Sequence, residues 1–293
     1  MKLAFPTSLR GIGEWAASNR MRVAEAKFRF AQYGILQAVA DSRTLSRVLA
    51  FRGGNALDFV WQPNRSTRDP DSSSRDSTLT AQQLGTFLTP SLERVSRSTG
   101  VLYCVQKMEQ QPPGPDRTFI TFEGKIGYAL PDDWRNRQLV QQGKASKATV
   151  PLDVSLNEPI CRIVEVDIES SNPLQVCQLE DIVAEKLRAL LQQPLRNRYR
   201  PQDVLDICVA AQQNPYLDLN LTAEFLMEKA KARNVPVSRA AFHQAEIRSR
   251  AFEGYNGLRE TTRNAFIEFE PAFAIVLSLV DRLPLPDRTS LTP

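Results

Sequence analysis

The residues best suited to chemistry in this chain are acidic. Asp69 and Asp71 stand at i and i+2 in Arg65-Ser66-Thr67-Arg68-Asp69-Pro70-Asp71, and on an extended segment that spacing turns both carboxylates to one side. Such a pair can hold a hard cation, Mg2+ or Mn2+, with substrate phosphates completing the shell. A solvated polar loop is the competing reading. Fifteen residues before Asp69 ends the pair Gly53-Gly54, directly after the apolar run Val48-Leu49-Ala50-Phe51. Two glycines let the backbone approach a ligand and turn its N–H groups outward as an anion cradle, or simply make a turn. A third acid, Asp153, lies in Val150-Pro151-Leu152-Asp153-Val154-Ser155, an otherwise apolar strand in which it needs a partner.

Two further clusters lie later in the chain. The helical stripe 179, 182, 183, 187 and 190 includes Lys186. A buried, unpaired ammonium is costly, so Lys186 must face a carboxylate or a cleft that receives an anion. Arg188 falls on the solvent side of the same wheel. In Arg200-Pro201-Gln202-Asp203-Val204-Leu205-Asp206 the proline suits a first helical turn and Asp203 suits the helix N-terminus, with Asp206 three residues on.

Composition removes most other chemistries. The only histidine is His243, and the four cysteines (Cys104, Cys161, Cys177, Cys208) have no C-x-x-C spacing. Triads and zinc sites therefore lack material, and catalysis must rest on carboxylates, Lys and Arg. With 293 residues, 42% hydrophobic and 24% charged, the chain is a folding polypeptide of about two domains. The N-terminus has no apolar run of signal-peptide length, and Ala272 to Val280 cannot span a bilayer, so a cytoplasmic, soluble protein without a membrane partner is expected. The net charge of +4 is uneven: residues 1–52 carry nine Lys/Arg against Glu14, Glu25 and Asp41. That segment is either a nucleic-acid footprint or a solvated helix face.

The elements that must position these residues change character along the chain. Helical spacing marks 19–40, with Val23, Ala26, Phe30, Tyr33 and Leu36 inward and Arg20, Arg22, Lys27 and Arg29 interleaved. A strand enters Gly53-Gly54, and 62–78, dense in Ser, Asp, Arg and Pro, reads as loop unless the acids hold it. A helix over 80–98 carries Pro90 as a break near its middle. Strands over 101–108 and 119–126 make a hairpin through Gln111–Asp116, and 150–154 and 163–166 are further strands. From Leu179 the period is helical, with helices near 179–192, 201–212, 222–233, 238–253 and 260–282. The domains divide near Ser170–Pro173, giving 1–170 and 171–293.

Taken in order, Arg52-Gly53-Gly54-Asn55-Ala56-Leu57, Arg65-x-Thr67-x-Asp69-x-Asp71, Pro151-Leu152-Asp153-Val154-Ser155-x-x-Glu158, Ala184-Glu185-Lys186-Leu187-x-Ala189-Leu190 and Arg200-Pro201-x-Asp203-Val204-x-Asp206 resemble the AbiEii/AbiGii nucleotidyltransferase toxins of type IV toxin-antitoxin and phage-defence systems. The resemblance implies an α+β protein with a mixed sheet, similar to the polymerase β nucleotidyltransferase lobe, followed by an all-helical C-terminal lobe. It implies that Gly53, Gly54, Arg65 and Lys186 meet the phosphates of an NTP, and that Asp69, Asp71 and Asp153 bind Mg2+ or Mn2+ in a two-metal site. Asp206 is implied as the acid of the last motif, and RNA, notably the tRNA 3' end, as acceptor, with a cognate antitoxin as partner. Nucleotidylation of a protein hydroxyl and a degenerate NTP-binding module are the alternatives. The chain departs from the family pattern with Arg52 for the usual Lys, Asn55 for Thr or Ser, and Pro70 and Ser72 for apolar residues. Pro70 removes a ladder donor and predicts an edge or irregular strand.

Overall fold

By their internal packing, the segments Met1–Val60 and Thr67–Val176 form one unit, and Trp61–Ser66 with Cys177–Pro293 form a second. The computed structural model describes residues 5–114, 117–264 and 266–287. Met1–Ala4, Pro115 and Asp116 of the hairpin connection, Ala265 within the predicted 260–282 helix and the last six residues lie outside the described residues.

The first unit runs α1 Ile12–Ser18, α2 Val23–Asp41, α3 Leu45–Val48, β1 Leu49–Arg52, α4 Gly53–Ala56 and a π-helical turn Leu57–Trp61. It continues with β2 Asp71–Ser74, α5 Ala81–Thr99, β3 Leu102–Gln111, β4 Thr121–Ala129, α6 Trp134–Gln141, β5 Thr149–Leu156, β6 Ile163–Val166 and β7 Leu174–Cys177. One seven-stranded mixed sheet has the order β3-β4-β5-β2-β1-β7-β6. The hairpin β3–β4 is antiparallel, and β2 lies between β5, parallel, and β1, antiparallel.

This order corrects the expectation for Pro70. Strand β2 is interior, and Pro70 escapes the penalty by standing just before its first residue, where its carbonyl accepts the Asp153 N–H at 3.1 Å. The polar segment Ser72-Ser73-Ser74, read as loop, is a buried strand. Small side chains let it fill an interior place that its composition does not advertise. Asp153 is likewise not stranded in an apolar run. Val150, Leu152, Val154 and Leu156 are buried on one face of β5, while Pro151, Asp153 and Ser155 alternate onto the other, which is more open.

Helix α5 runs unbroken through Pro90. The Thr80 hydroxyl accepts the Gln83 N–H and the Gln83 side chain accepts the Thr80 N–H, a capping box, and Gly100 closes the other end with positive φ. Leu84, Leu88, Leu92 and Val95 form its buried stripe, and Pro90 falls on the exposed side, where the loss of one backbone donor is least costly.

Helix α2 is buried on nearly all sides, packing on α5 and β5. Of its basic residues, Lys27 pairs with Asp132 at 2.5 Å. Arg29 is internal: it is 1% exposed, bonded to Asp58, and its guanidinium lies 4.2 Å from the centre of the Phe59 ring. Part of the N-terminal positive charge is therefore consumed by the core and is not presented to a partner.

The second unit contains α7 Leu179–Arg196, α8 Pro201–Gln213, α9 Leu219–Ala232, α10 Arg239–Phe242, α11 Ala245–Phe252 and α12 Phe269–Arg282. The predicted 238–253 helix is split at His243-Gln244, and Pro271 in the first turn of α12 fits a late start, preceded by a 3-10 turn at Tyr255–Glu260. Arg188 is buried, not solvent-facing, and bonds to Glu185 and Gln192. The single-stripe wheel fails because α7 is packed by α8, α9 and α11, so more than one of its faces is covered. Beside it, Lys229 pairs with Asp181 at 2.7 Å in full burial.

Removing one partner of the Arg29–Asp58 pair leaves the other charge in the core. Asp58→Ala is expected to lose about 3–5 kcal/mol in urea unfolding. The double replacement Arg29→Met/Asp58→Leu should recover most of that loss.

Candidate functional site

The sheet register builds a row of charged residues across five strands. Glu109 faces Glu123, Glu123 faces Asp153, Asp153 faces Asp71, and Asp71 faces Arg52. Because facing residues in neighbouring strands project to the same side, the row runs over one face of β3, β4, β5, β2 and β1. Asp71 and Asp153, predicted from separate motifs, are thus immediate neighbours. Glu123 and Glu109 extend the row and were not singled out from the sequence, although the alternation Thr121, Glu123, Lys125 against Phe122, Gly124, Ile126 carries the signal.

The glycine turn closes on the same row. Gly53 follows β1 directly with φ +74°, and a Cβ placed there would lie 2.6 Å from Asp71 Oδ2. Only glycine fits that backbone and that proximity. Two residues on, the Asn55 amide is 0% exposed, and neither its nitrogen nor its oxygen has a hydrogen bond among the described residues. Leaving such a group unpaired costs about 1–3 kcal/mol. Gly53, Gly54 and Asn55 therefore combine close backbone access with an unsatisfied polar side chain, which suits a polar, anionic ligand.

The approach to Asp69 is held from behind. Buried Gln32 on α2 donates to the Arg68 carbonyl at 2.8 Å, and the Pro70 carbonyl is bonded to Asp153 as above. Arg52 donates to the Ser155 hydroxyl at 3.2 Å. Burial raises the Asp69 carboxyl above its ordinary range, with Arg68 opposing. Asp153 is pushed up to about 6 by burial, then by the charges of Asp69 and Glu123. Crowded carboxylates of this kind gain from a hard cation, and an all-oxygen donor set suits Mg2+ or Mn2+. Among the described residues, no group of three His, Cys, Asp or Glu side chains converges closely enough to hold a metal by itself.

Within the helical unit, a second cluster gathers Arg65, Lys186, Asp203 and Asp206. Lys186 Nζ lies 2.8 Å from Asp203 Oδ1 and 2.8 Å from Asp206 Oδ2. Arg65 reaches both Asp206 oxygens, Nε at 3.2 Å and Nη2 at 3.0 Å. Pro201 starts α8 and sets Asp203 and Asp206 one turn apart on it, facing Lys186 of α7. Two cations and two carboxylates make the cluster formally neutral. Burial alone would lower the Lys186 pKa, yet Asp203 and Asp206 outweigh it and hold the ammonium charged. Burial would raise Asp206, but Lys186 and Arg65 outweigh it and bring the carboxyl down to about 2. Lys186 thus meets carboxylates, one of the two partners its helical position required.

Two measurements test these environments. The folded Asp153 carboxyl titrates above its unfolded value, so its favourable contribution is complete below about pH 4 and is lost as pH rises through about 6. In chelator-treated protein, Asp153→Asn is therefore expected to be more stable than wild type at pH 8 by about 1–2 kcal/mol, with the gain vanishing at pH 4. Lys186→Met leaves Asp203 and Asp206 in the interior and is expected to cost about 3–5 kcal/mol at pH 7 in denaturant titration. Protonating those acids should shrink the loss.

Known proteins resemble this chain at low sequence identity. A crystal structure of an H. pylori protein assigned as a nucleotidyltransferase superposes with a TM-score of 0.50 at 13% identity, covering 87% of this chain and 92% of that one. JHP933 from Helicobacter pylori gives 0.49 at 13% identity, covering 88% and 90% of the two chains. The nucleotidyltransferase toxin MenT4 from Mycobacterium tuberculosis H37Rv gives 0.47 at 14% identity, covering 93% and 97%. No curated protein matches the chain. The family profile described as nucleotidyl transferase AbiEii toxin, type IV TA system, matches residues 34–277, a span that includes the glycine turn, all three aspartates and the Lys186–Asp206 cluster. The α+β chain with its helical C-terminal unit belongs to the AbiEii nucleotidyltransferase toxin family.

Proposed function

We propose that the protein transfers a nucleoside monophosphate from an NTP to a hydroxyl of RNA, with the tRNA 3' end as acceptor, in a reaction that requires Mg2+ or Mn2+. The observation that carries this reading is the pairing of Asp71 with Asp153 beside the side-chain-free turn at Gly53. The acceptor oxygen forms a bond to the α-phosphorus, the bond from that phosphorus to the bridging oxygen breaks, and pyrophosphate leaves. Such transfer asks mainly for alignment and charge neutralisation, which the chain can supply without histidine.

In this reading Gly53 and Gly54 bring backbone N–H groups to the triphosphate, and the Asn55 amide takes the place of a hydroxyl. Asp69, Asp71 and Asp153 are the cation-binding side chains, with phosphate oxygens completing the shell. A bound divalent cation supplies neutralisation of the charge that develops on the leaving pyrophosphate. Asp153 is also proposed as acceptor of the hydroxyl proton. For the helical unit, phosphate contact by Lys186 and Arg65 is the proposed role, with Asp206 holding both cations ready. The biological setting follows the family: a toxin restrained by a cognate antitoxin.

The test uses purified protein with each α-labelled NTP, Mg2+ and total tRNA. Wild type is expected to label RNA, and Asp69→Ala/Asp71→Ala to lose at least a thousandfold of that rate while keeping the wild-type unfolding midpoint. Undiminished labelling by the double variant would refute the site. Label on the protein band alone would transfer the activity to a protein hydroxyl.

A further inference from the structure

From the last two residues of α7 to the start of α8 the chain reads Leu195-Arg196-Asn197-Arg198-Tyr199-Arg200, a turn with three arginines and no acid. Its residues are exposed except Arg200, which is half-buried, and Tyr199 and Leu195 show 54% and 59% of their surface. None of the three guanidiniums has a hydrogen bond or ion pair among the described residues. Two other exposed arginines of the same unit are ion-paired, Arg248 with Glu270 and Arg259 with Glu268.

The turn is nonetheless rigidly built. Gln193, fully buried, accepts the Arg200 N–H at 2.9 Å and donates to the carbonyls of Leu190 and Ile247. The Gln193 carbonyl accepts the Arg198 N–H at 3.0 Å. Asn197 adopts positive φ and its side chain accepts from Arg250 at 3.0 Å. Arg250, anchored to Glu246, holds its guanidinium 5.7 Å from the Tyr199 ring centre. A buried glutamine and a paired arginine are thus spent on presenting an aromatic ring and three unpaired cations to solvent.

We infer that the Leu195–Arg200 turn is a docking surface for single-stranded RNA, Tyr199 stacking on a base while Arg196, Arg198 and Arg200 meet the phosphates on either side. A cationic rim with an exposed ring is the combination that single strands bind: every base has a face to stack, and every linkage carries a charge. Preordering lowers the entropy that binding must otherwise cost. The inference rests on the proposed RNA acceptor and assigns a place where that acceptor is held, distinct from the residues proposed for transfer.

Fluorescence anisotropy with a labelled, unstructured RNA oligonucleotide between 50 and 200 mM KCl tests it directly, without NTP. Arg196→Ala/Arg198→Ala is expected to bind at least tenfold more weakly than wild type at 50 mM and to flatten the slope of log affinity against log salt by about 1.4, at about 0.7 per phosphate contact. Tyr199→Ala should lose about tenfold and Tyr199→Phe should retain wild-type affinity, because stacking needs the ring and not the hydroxyl. Arg248→Ala/Arg259→Ala, which removes the same charge from ion-paired positions, should leave both affinity and slope near wild type. Equal effects from the two arginine pairs, equal effects from the two tyrosine variants, or no RNA binding by wild type would each overturn the surface. Label transfer separates this from the broader reading: RNA labelled by every variant with unchanged KM removes the surface alone, whereas no RNA labelling by wild type removes the acceptor, leaving the binding slopes to decide the surface.

Discussion

Two carboxylates directly opposed on neighbouring strands are the constraint around which the first unit is built. Asp71 and Asp153 face each other across the β2–β5 pair, with Glu123 next in line, and like charges so placed oppose the sheet that carries them. The strands hold because their other face is dense: Val150, Leu152, Val154 and Leu156 alternate into the core beneath the acids. The repulsion is retained on the acidic face, and the hydrophobic face offsets it. Four acids on that face, Glu109, Glu123, Asp153 and Asp71, stand against Arg52 at the end of the row.

The helical unit answers the same problem in the opposite way. Its acids Asp203 and Asp206 are matched by Lys186 and Arg65 within hydrogen-bonding distance, and Asp181 is matched by Lys229. The row on the sheet sets four acids against one arginine, Arg52, whereas the second cluster is formally neutral. That contrast accords with the cation site proposed for the aspartates of the sheet, and it gives Lys186 a structural partner set as well as its proposed phosphate role.

Much of this was legible in the sequence where period and spacing reported a single physical cause. The strand entering Gly53 followed from an apolar run, the hairpin from alternation, and the inward Lys186 and the helices near 179–192, 201–212 and 222–233 from a 3.6 repeat. The failures share a cause too. Pro90 and Pro70 were read by local propensity, but position on an exposed helix face and just outside a strand removed their cost. Ser72-Ser73-Ser74 looked like loop because burial of small polar side chains leaves no hydrophobic signature. Arg29 and Arg188 looked like surface because a helix wheel has no knowledge of second neighbours, and both are interior. Strand β7 and helix α6 were too short or too polar to rise above their surroundings. The cross-strand row of Glu109, Glu123, Asp153, Asp71 and Arg52 was beyond reach, since register is a tertiary property.

Six residues, Trp61–Ser66, leave the sheet-bearing unit and belong with the helices before the chain returns at Thr67. Arg65 in that excursion is bonded to Asp206, more than a hundred positions later. The two halves are therefore laced by sequence rather than joined end to end. Recombination that swapped one half between related genes would split a hydrogen-bonded pair at any crossover between those positions. A chimera made there is expected to keep the pair only where both parents supply an arginine and an acid at these two positions.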